Sequence, residues 1–330
     1  MNKFLDNISV QDRLKLQRWG KKGMGLGTSL LRLAILLSVG FVIIYPLFYM
    51  ITNSLISKDA YFNSTRIWIP NKLNIVENYK FAIDCLSFGP GLLSTLLHEI
   101  ASALIQVCSC AIAAYGFARF DFKGKGILTG MLFMTILIPD MMVMLPRMVN
   151  YSHLDFFGIL GLVEKITGAT IRPNILNSVW AFWLPSLFGI GLRSGILIFI
   201  YIQFFKGLPR ELEEAAWVDG AGPLRTFLAI AIPSSGVVIL TVTVFSLIWH
   251  WNDTLYARMF LNDNFTLATH LDQFSDMLFA RFGILTDVKN PESSAYMMAA
   301  CVLFVTPMLI FYMIVQRWFI ESIDRVGITG

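Results

Sequence analysis

The chain has 330 residues, of which 56% are hydrophobic and only 15% charged, with a formal net charge of +4 and a mean hydropathy of +0.64. A soluble domain carries about 25% charge, so 26 basic and 22 acidic side chains cannot cover so apolar a core, and the same composition excludes a disordered chain. The small positive balance suits the cytoplasmic loops of a membrane protein better than a nucleic-acid surface.

A bilayer core about 30 Å thick needs about 20 apolar residues per helix. Six runs of that order occur: Leu33 to Ser57, Ile100 to Ala118, Gly126 to Pro146 with Asp140 inside, Pro173 to Phe205 with Arg193 inside, Thr226 to Asn252, and Ser293 to Gln316. The expectation is an all-α integral membrane protein with six transmembrane helices. An arm at 1–29 precedes one membrane domain at 30–330. Because a long charged segment lies before Leu33 and no small-residue cleavage site follows, the first run is expected to be a retained anchor. Met1 to Gln17 reads equally as an amphipathic surface helix or as a frayed basic arm.

Lys and Arg set the orientation. With the N terminus inside, Lys3, Arg13, Lys15, Arg18, Lys21, Lys22 and Arg32 fall in the cytoplasm, followed by Arg119, Lys123, Lys125, Lys206, Arg210, Arg225, Arg317 and Arg325. Basic residues of the opposite side are spread over longer, Asp-rich stretches, so both termini are expected to be cytoplasmic. Tyr61 to Pro90 and Asn262 to Pro291, on the outer side, have turn chemistry. Cys108 and Cys110 face different directions on an apolar helix and suit neither a metal nor a redox pair. All four cysteines read as small apolar side chains, and no metal or cofactor is expected on this chain.

Between the fourth and fifth runs stands Gly207-Leu-Pro-Arg-Glu-Leu-Glu-Glu-Ala-Ala-Trp-Val-Asp-Gly220. Pro209 suits a first helical turn, three glutamates lie at the positive end of the helix dipole, and Gly220 supplies a stop. A second short helix starts at Pro223 and passes Phe227 and Ile230 until Pro233 interrupts its hydrogen bonding. Leu212, Ala215 and Ala216 form a small apolar patch beside Glu214, a shape that can enter a groove and then form a charge pair. Amphipathicity alone favours a solvated surface helix joining two spans.

These residues carry a resemblance. Glu214-Ala215-Ala216, Asp219-Gly220-Ala221, Phe227, Ile230 and Pro233 resemble in type and spacing the cytoplasmic Glu-Ala-Ala loop of binding-protein-dependent ABC importers, in their carbohydrate branch. Tyr115-Gly-Phe-Ala-Arg-Phe120, Phe122-Lys-Gly-Lys125, Gln203-Phe-Phe205, Pro209-Arg-Glu-Leu-Glu213, Trp251-Asn-Asp253 and Gln316-Arg-Trp318 extend it from about residue 25 to the end. The resemblance implies a permease similar to the second, six-span subunit of maltose-type importers. It would work with a sister permease, two ATPase subunits and an extracellular solute-binding protein on a carbohydrate substrate in a bacterial-type cell membrane. It also implies that the motif helix docks into an ATPase cleft, with Glu214 facing a basic residue there. The chain departs from the family in having Ile232 where Leu is usual, in ending Gly327-Ile-Thr-Gly330, and in a long stretch from His153 to Pro173.

No Gly-x-x-x-x-Gly-Lys-Ser/Thr loop is present, since Gly124-Lys125 is followed by Gly126, so ATP and Mg are expected on the partner ATPase. His98-Glu99 begins like a zinc motif, but Ser102 occupies the position of the second His. Two other functions compete. An ion-gradient-driven sugar carrier would use Glu99, Asp140 and Arg193, and an intramembrane serine protease would use Leu192-Arg-Ser-Gly195 with His250. Arg193 costs about 2.5–3.5 kcal/mol to insert, so it is expected to meet an acid such as Asp140, a subunit interface or a cavity. Gly191-x-x-x-Gly195 and Gly126-x-x-x-Gly130 permit close helix contact. For a sugar path the candidates are Arg193, Trp249, Trp251, Asn252 and Asp253. The last four lie about 27 Å from Pro233 at the helical rise, or read instead as an interfacial anchor and a helix cap.

Overall fold

The computed structural model describes residues 10–57, 72–155, 158–261, 266–284 and 291–327. Among them the secondary structure is helical, apart from a single antiparallel bridge between Ile56 and Leu73. Three helices are long and apolar enough to cross a bilayer: Thr28–Ser54, Phe88–Arg119 and Ser294–Trp318. Each falls on an expected run. The first continues without a break from Val10, so the arm's backbone is helical from there on, while residues 1–9 of the expected surface helix lie outside the described residues.

Two expected runs are bent rather than straight. Lys125–Leu137 and Asp140–Ser152 meet at 105°, and Pro223–Ser234 and Gly236–Trp251 at 82°. Pro139 forces Ile138 out of the helical region, to φ −74° and ψ 121°, which turns the first pair. Pro233 removes a backbone donor, and the chain breaks at Ser235. With these two pairs counted as spans, the number of candidates rises from three to five. The Pro173–Phe205 run divides into Trp180–Leu187 and Ser194–Gly207, the latter too short by itself to cross.

Three apolar clusters hold the body together. One joins Phe88–Arg119 to Ser194–Gly207 and Gly236–Trp251 through Tyr115, Tyr201, Phe205, Phe227 and Val242. Gly195 allows Ser194–Gly207 a close approach to Lys125–Leu137, since a Cβ would meet Thr135 Oγ1 at 2.5 Å. The Gly126 and Gly130 positions open onto empty space and mediate no such contact within this chain. A second cluster packs Trp251 with Phe274, Leu278, Tyr296 and Phe304. It corrects the turn-rich expectation for 262–291: Leu267–Asp272 and Phe274–Phe282 are helices with buried faces, the first begun by Thr266, whose side chain accepts from the Thr269 N–H. The long stretch after His153 folds as Ile159–Thr167, where Glu164 pairs with Arg172 at 2.6 Å.

Candidate functional site

The segment singled out in the sequence forms a helix, a glycine turn and a second helix. Its first helix is Glu211–Val218, with Glu211, Glu213 and Glu214 in the first turn. It begins two residues later than Pro209 suggested, because the chain is still turning at Arg210. Gly220 ends it with φ +80°, a left-handed conformation that side chains with a Cβ rarely adopt. Its N–H donates to Trp217 O at 3.0 Å, and that of Ala221 to Ala216 O at 2.9 Å, a C-terminal cap that satisfies the last carbonyls. Pro223 then opens the second helix, and Thr226 is bonded back to Gly222 O.

This knuckle is pinned to the body by one cation. Arg119 Nε meets Glu213 Oε1 at 2.9 Å, with both side chains 3% exposed, and Arg119 Nη2 donates to Leu208 O at 2.9 Å. The guanidinium therefore grips the knuckle both before and within its first helix. Phe227 completes the anchor against Tyr115, with ring centroids 4.9 Å apart. The pair of Arg119 and Glu213 was missed in the sequence. Both residues lie in the quoted motifs, but 94 positions separate them and nothing in a single chain marks which glutamate turns inward.

The residues expected to contact a partner face the other way. Leu212, Glu214, Ala215, Asp219, Gly220 and Pro233 are exposed, while Ala216, Ala221 and Ile230 are half-buried. Trp217 at 46%, Val218 at 88%, Leu224 at 70% and Leu228 at 57% exposure enlarge the apolar surface well beyond the expected patch. This is aliphatic and aromatic surface around a short charged helix that nothing within the described chain covers.

At the far end of Gly236–Trp251 lies an open hollow of about 340 Å³ whose lining includes Asp140, Arg193, Trp249, Asn252, Asp253 and Tyr256. Four of the five sugar-path candidates thus come together. Trp251 does not join them: it is 3% exposed and packs 5.6 Å from the Phe304 ring in the second cluster. Arg193 sits in a left-handed turn at φ 52° and makes no ion pair with Asp140. Its guanidinium lies 5.2 Å from the centroid of Trp249, whose ring stacks with Phe245 at 5.6 Å. Trp249 therefore orients Arg193 toward the hollow. Asn252 is exposed, and Asp253 is buried and accepts from the N–H groups of Tyr256 and Ala257 at 3.2 Å, the helix-cap role that the sequence also allowed.

Behind the hollow runs a buried polar network. Glu99 Oε2 lies 3.0 Å from His250 Nδ1, His250 Nε2 lies 3.0 Å from Gln106 Oε1, and Ser246 Oγ donates to the same oxygen at 2.8 Å. Gln106 Nε2 donates to Leu192 O at 2.7 Å and to Ser194 Oγ at 2.6 Å. The arrangement removes the protease alternative, because Ser194 and His250 each bond to Gln106 and not to one another.

Fold and apolar helix lengths together define a helical, multi-pass membrane protein, with exposed apolar side chains on its knuckle. Residues 107–325 match the model of the family described as binding-protein-dependent transport system inner membrane component, and the chain belongs to that family. It is 26% identical over 280 residues to the probable starch degradation products transport system permease protein AmyC of Thermoanaerobacterium thermosulfurigenes, covering 85% of this chain and 89% of that one. It is also 26% identical to the melibiose/raffinose/stachyose import permease protein MelC of Bacillus subtilis, covering 86% and 91%. Among solved structures, a bacterial ABC transporter involved in the import of the acidic polysaccharide alginate superposes with a TM-score of 0.66 at 18% identity, over 94% of this chain and 99% of that one. That likeness speaks for the fold.

Proposed function

We propose that this chain is one of two permease subunits of an ATP-driven carbohydrate importer and forms half of its translocation path. Six crossings with both termini cytoplasmic fit the charge distribution if the bent pairs and the divided Trp180–Gly207 segment each count as one. The knuckle then lies in the cytoplasm and docks into a cleft of a separate ATPase, where ATP and Mg are bound. Glu214 faces a basic residue there, and Leu212, Ala215 and Val218 supply apolar contact. Arg119 and Glu213 carry the displacement from the knuckle to the end of the Phe88–Arg119 helix.

The observation that carries this reading is the division of labour between adjacent glutamates, Glu213 buried and paired inward and Glu214 exposed beside an apolar patch. The transport roles in the names of AmyC and MelC support saccharides as the substrate class. In the hollow, Arg193 and Asn252 would donate to sugar hydroxyls and Asp140 would accept from them. An extracellular solute-binding protein would deliver the sugar to that mouth. The test is ATP-dependent uptake by Glu214→Arg and Gly220→Pro variants that still insert. Loss of uptake supports the coupling role; full uptake by either variant refutes it. Collapse of ion gradients with ATP retained should leave uptake intact, whereas an ion-driven carrier would stop.

A further inference from the structure

Glu99, Gln106, Ser194, Ser246 and His250 are all buried, and they join three helices of the body: Phe88–Arg119, Ser194–Gly207 and Gly236–Trp251. Their hydrogen bonds fix where protons sit. Leu192 O can only accept, so the nitrogen of Gln106 faces it and the amide oxygen faces His250. His250 Nε2 must therefore carry a hydrogen. Its Nδ1 meets Glu99 Oε2, so a single proton lies between these two atoms. Glu99 Oε1 is buried without a hydrogen-bond partner, which suits a neutral acid and not a carboxylate. A π-turn at Leu96–Ile100 sets the register that aims Glu99 at His250.

We propose that Glu99 and His250 form a proton-binding site, holding one proton while the three helices are together and releasing it when they part. A second proton would put net positive charge among apolar side chains, and removal of the first would set a carboxylate against a lone pair. The surrounding groups are few. Asp253 shares a narrow hollow with His250, together with Arg147, Tyr151 and Tyr256. His98 turns away toward Ser94 O at 2.9 Å and the Phe182 ring. No titratable side chain lies on Trp180–Leu187, while Tyr201 and Lys206 lie on Ser194–Gly207 and Tyr296, Cys301, Tyr312 and Arg317 on Ser294–Trp318.

The proton count gives the sign of the pH dependence. In water Glu and His titrate near about 4.3 and about 6.5. Between those values the separated pair carries one proton, as the closed network does, and pH has no effect. Above about pH 6.5 the separated pair carries none, so the joined form loses ground about tenfold per pH unit. That the parting of the helices belongs to a transport cycle rests on the importer reading; the proton site itself does not.

The test uses the full-length chain in lipid nanodiscs with the subunits that co-purify with it. Infrared spectra at pH 7.5 should contain a protonated-carboxyl carbonyl band that disappears in Glu99→Gln and persists in Asp253→Asn. Histidine labelled with nitrogen-15 should report His250 of the unmodified protein as the neutral Nε2–H tautomer. The unfolding midpoint should fall from pH 7 to 8.5 with a one-proton slope, and Glu99→Gln should flatten it, since its amide still donates to Nδ1. An imidazolium or Nδ1–H tautomer for His250, no acid band due to Glu99, or a full slope in Glu99→Gln would each overturn the proposal.

Discussion

The knuckle and the polar network spend their carboxylates in opposite ways. In the network every charge-capable group except one oxygen of Glu99 is satisfied within the chain, by helices that are already packed together. In the knuckle one glutamate is satisfied internally and its neighbour is left outside amid exposed Leu212, Trp217 and Val218. A region that completes its own hydrogen bonding specifies how the helices meet, whereas a region that leaves apolar area and charge unspent specifies what else must bind.

That contrast can be broken most forcefully at Arg119. Arg119→Ala leaves Glu213 buried and unpaired and should cost about 3–5 kcal/mol, read as the unfolding midpoint of the purified protein. A drop no larger than that of an exposed lysine variant would mean that the knuckle is not pinned as described. Glu214→Arg sharpens the comparison from the other side. Its stability should stay within about 0.5 kcal/mol of the parent, while reversal of one interfacial charge should reduce ATP-dependent uptake more than about tenfold.

A smaller effect belongs to the hollow. Arg193→Gln removes a cation held over Trp249, a contact of about 0.5–1 kcal/mol, and should raise the sugar concentration for half-maximal uptake by less than about tenfold with little change in the maximal rate. The smallest is in the connection at 158–172. Backbone N–H groups of Arg172 and Ile171, then the Arg172 guanidinium, hold the Glu164 carboxyl below its ordinary value of 4.5. This contribution is fully present above that value and fades as pH falls through the lowered one. Hydrogen exchange of residues 158–172 should thus quicken in acid, and Glu164→Gln should remove that acid limb.

The sequence made the apolar lengths legible, and the three longest described helices fall on expected runs. It did not show the bend at Pro139, because counting uncharged residues is blind to that turn, whereas the interruption at Pro233 was expected and the chain breaks just after it. The knuckle was readable because its signals are local: glutamates in the first turn, Gly220 at the end and Pro223 at the restart. Arg119 with Glu213, and Glu99 with His250, were not readable as partners, since each depends on helices distant in sequence coming together. Trp249 and Trp251 stand two positions apart and looked interchangeable, yet one orients Arg193 and the other fills the second apolar cluster, a separation that depends on which face of the helix is buried.

The direct test of the account is to place a photo-crosslinking residue at Ala215 or Val218, on the exposed face of the knuckle, and at Ile43 on the apolar first span as a control. In membranes containing the assembled importer, Ala215 and Val218 should crosslink to an ATP-binding subunit while Ile43 does not. Crosslinks from the knuckle to lipid alone, or equal capture of that subunit from Ile43, would contradict the assignment.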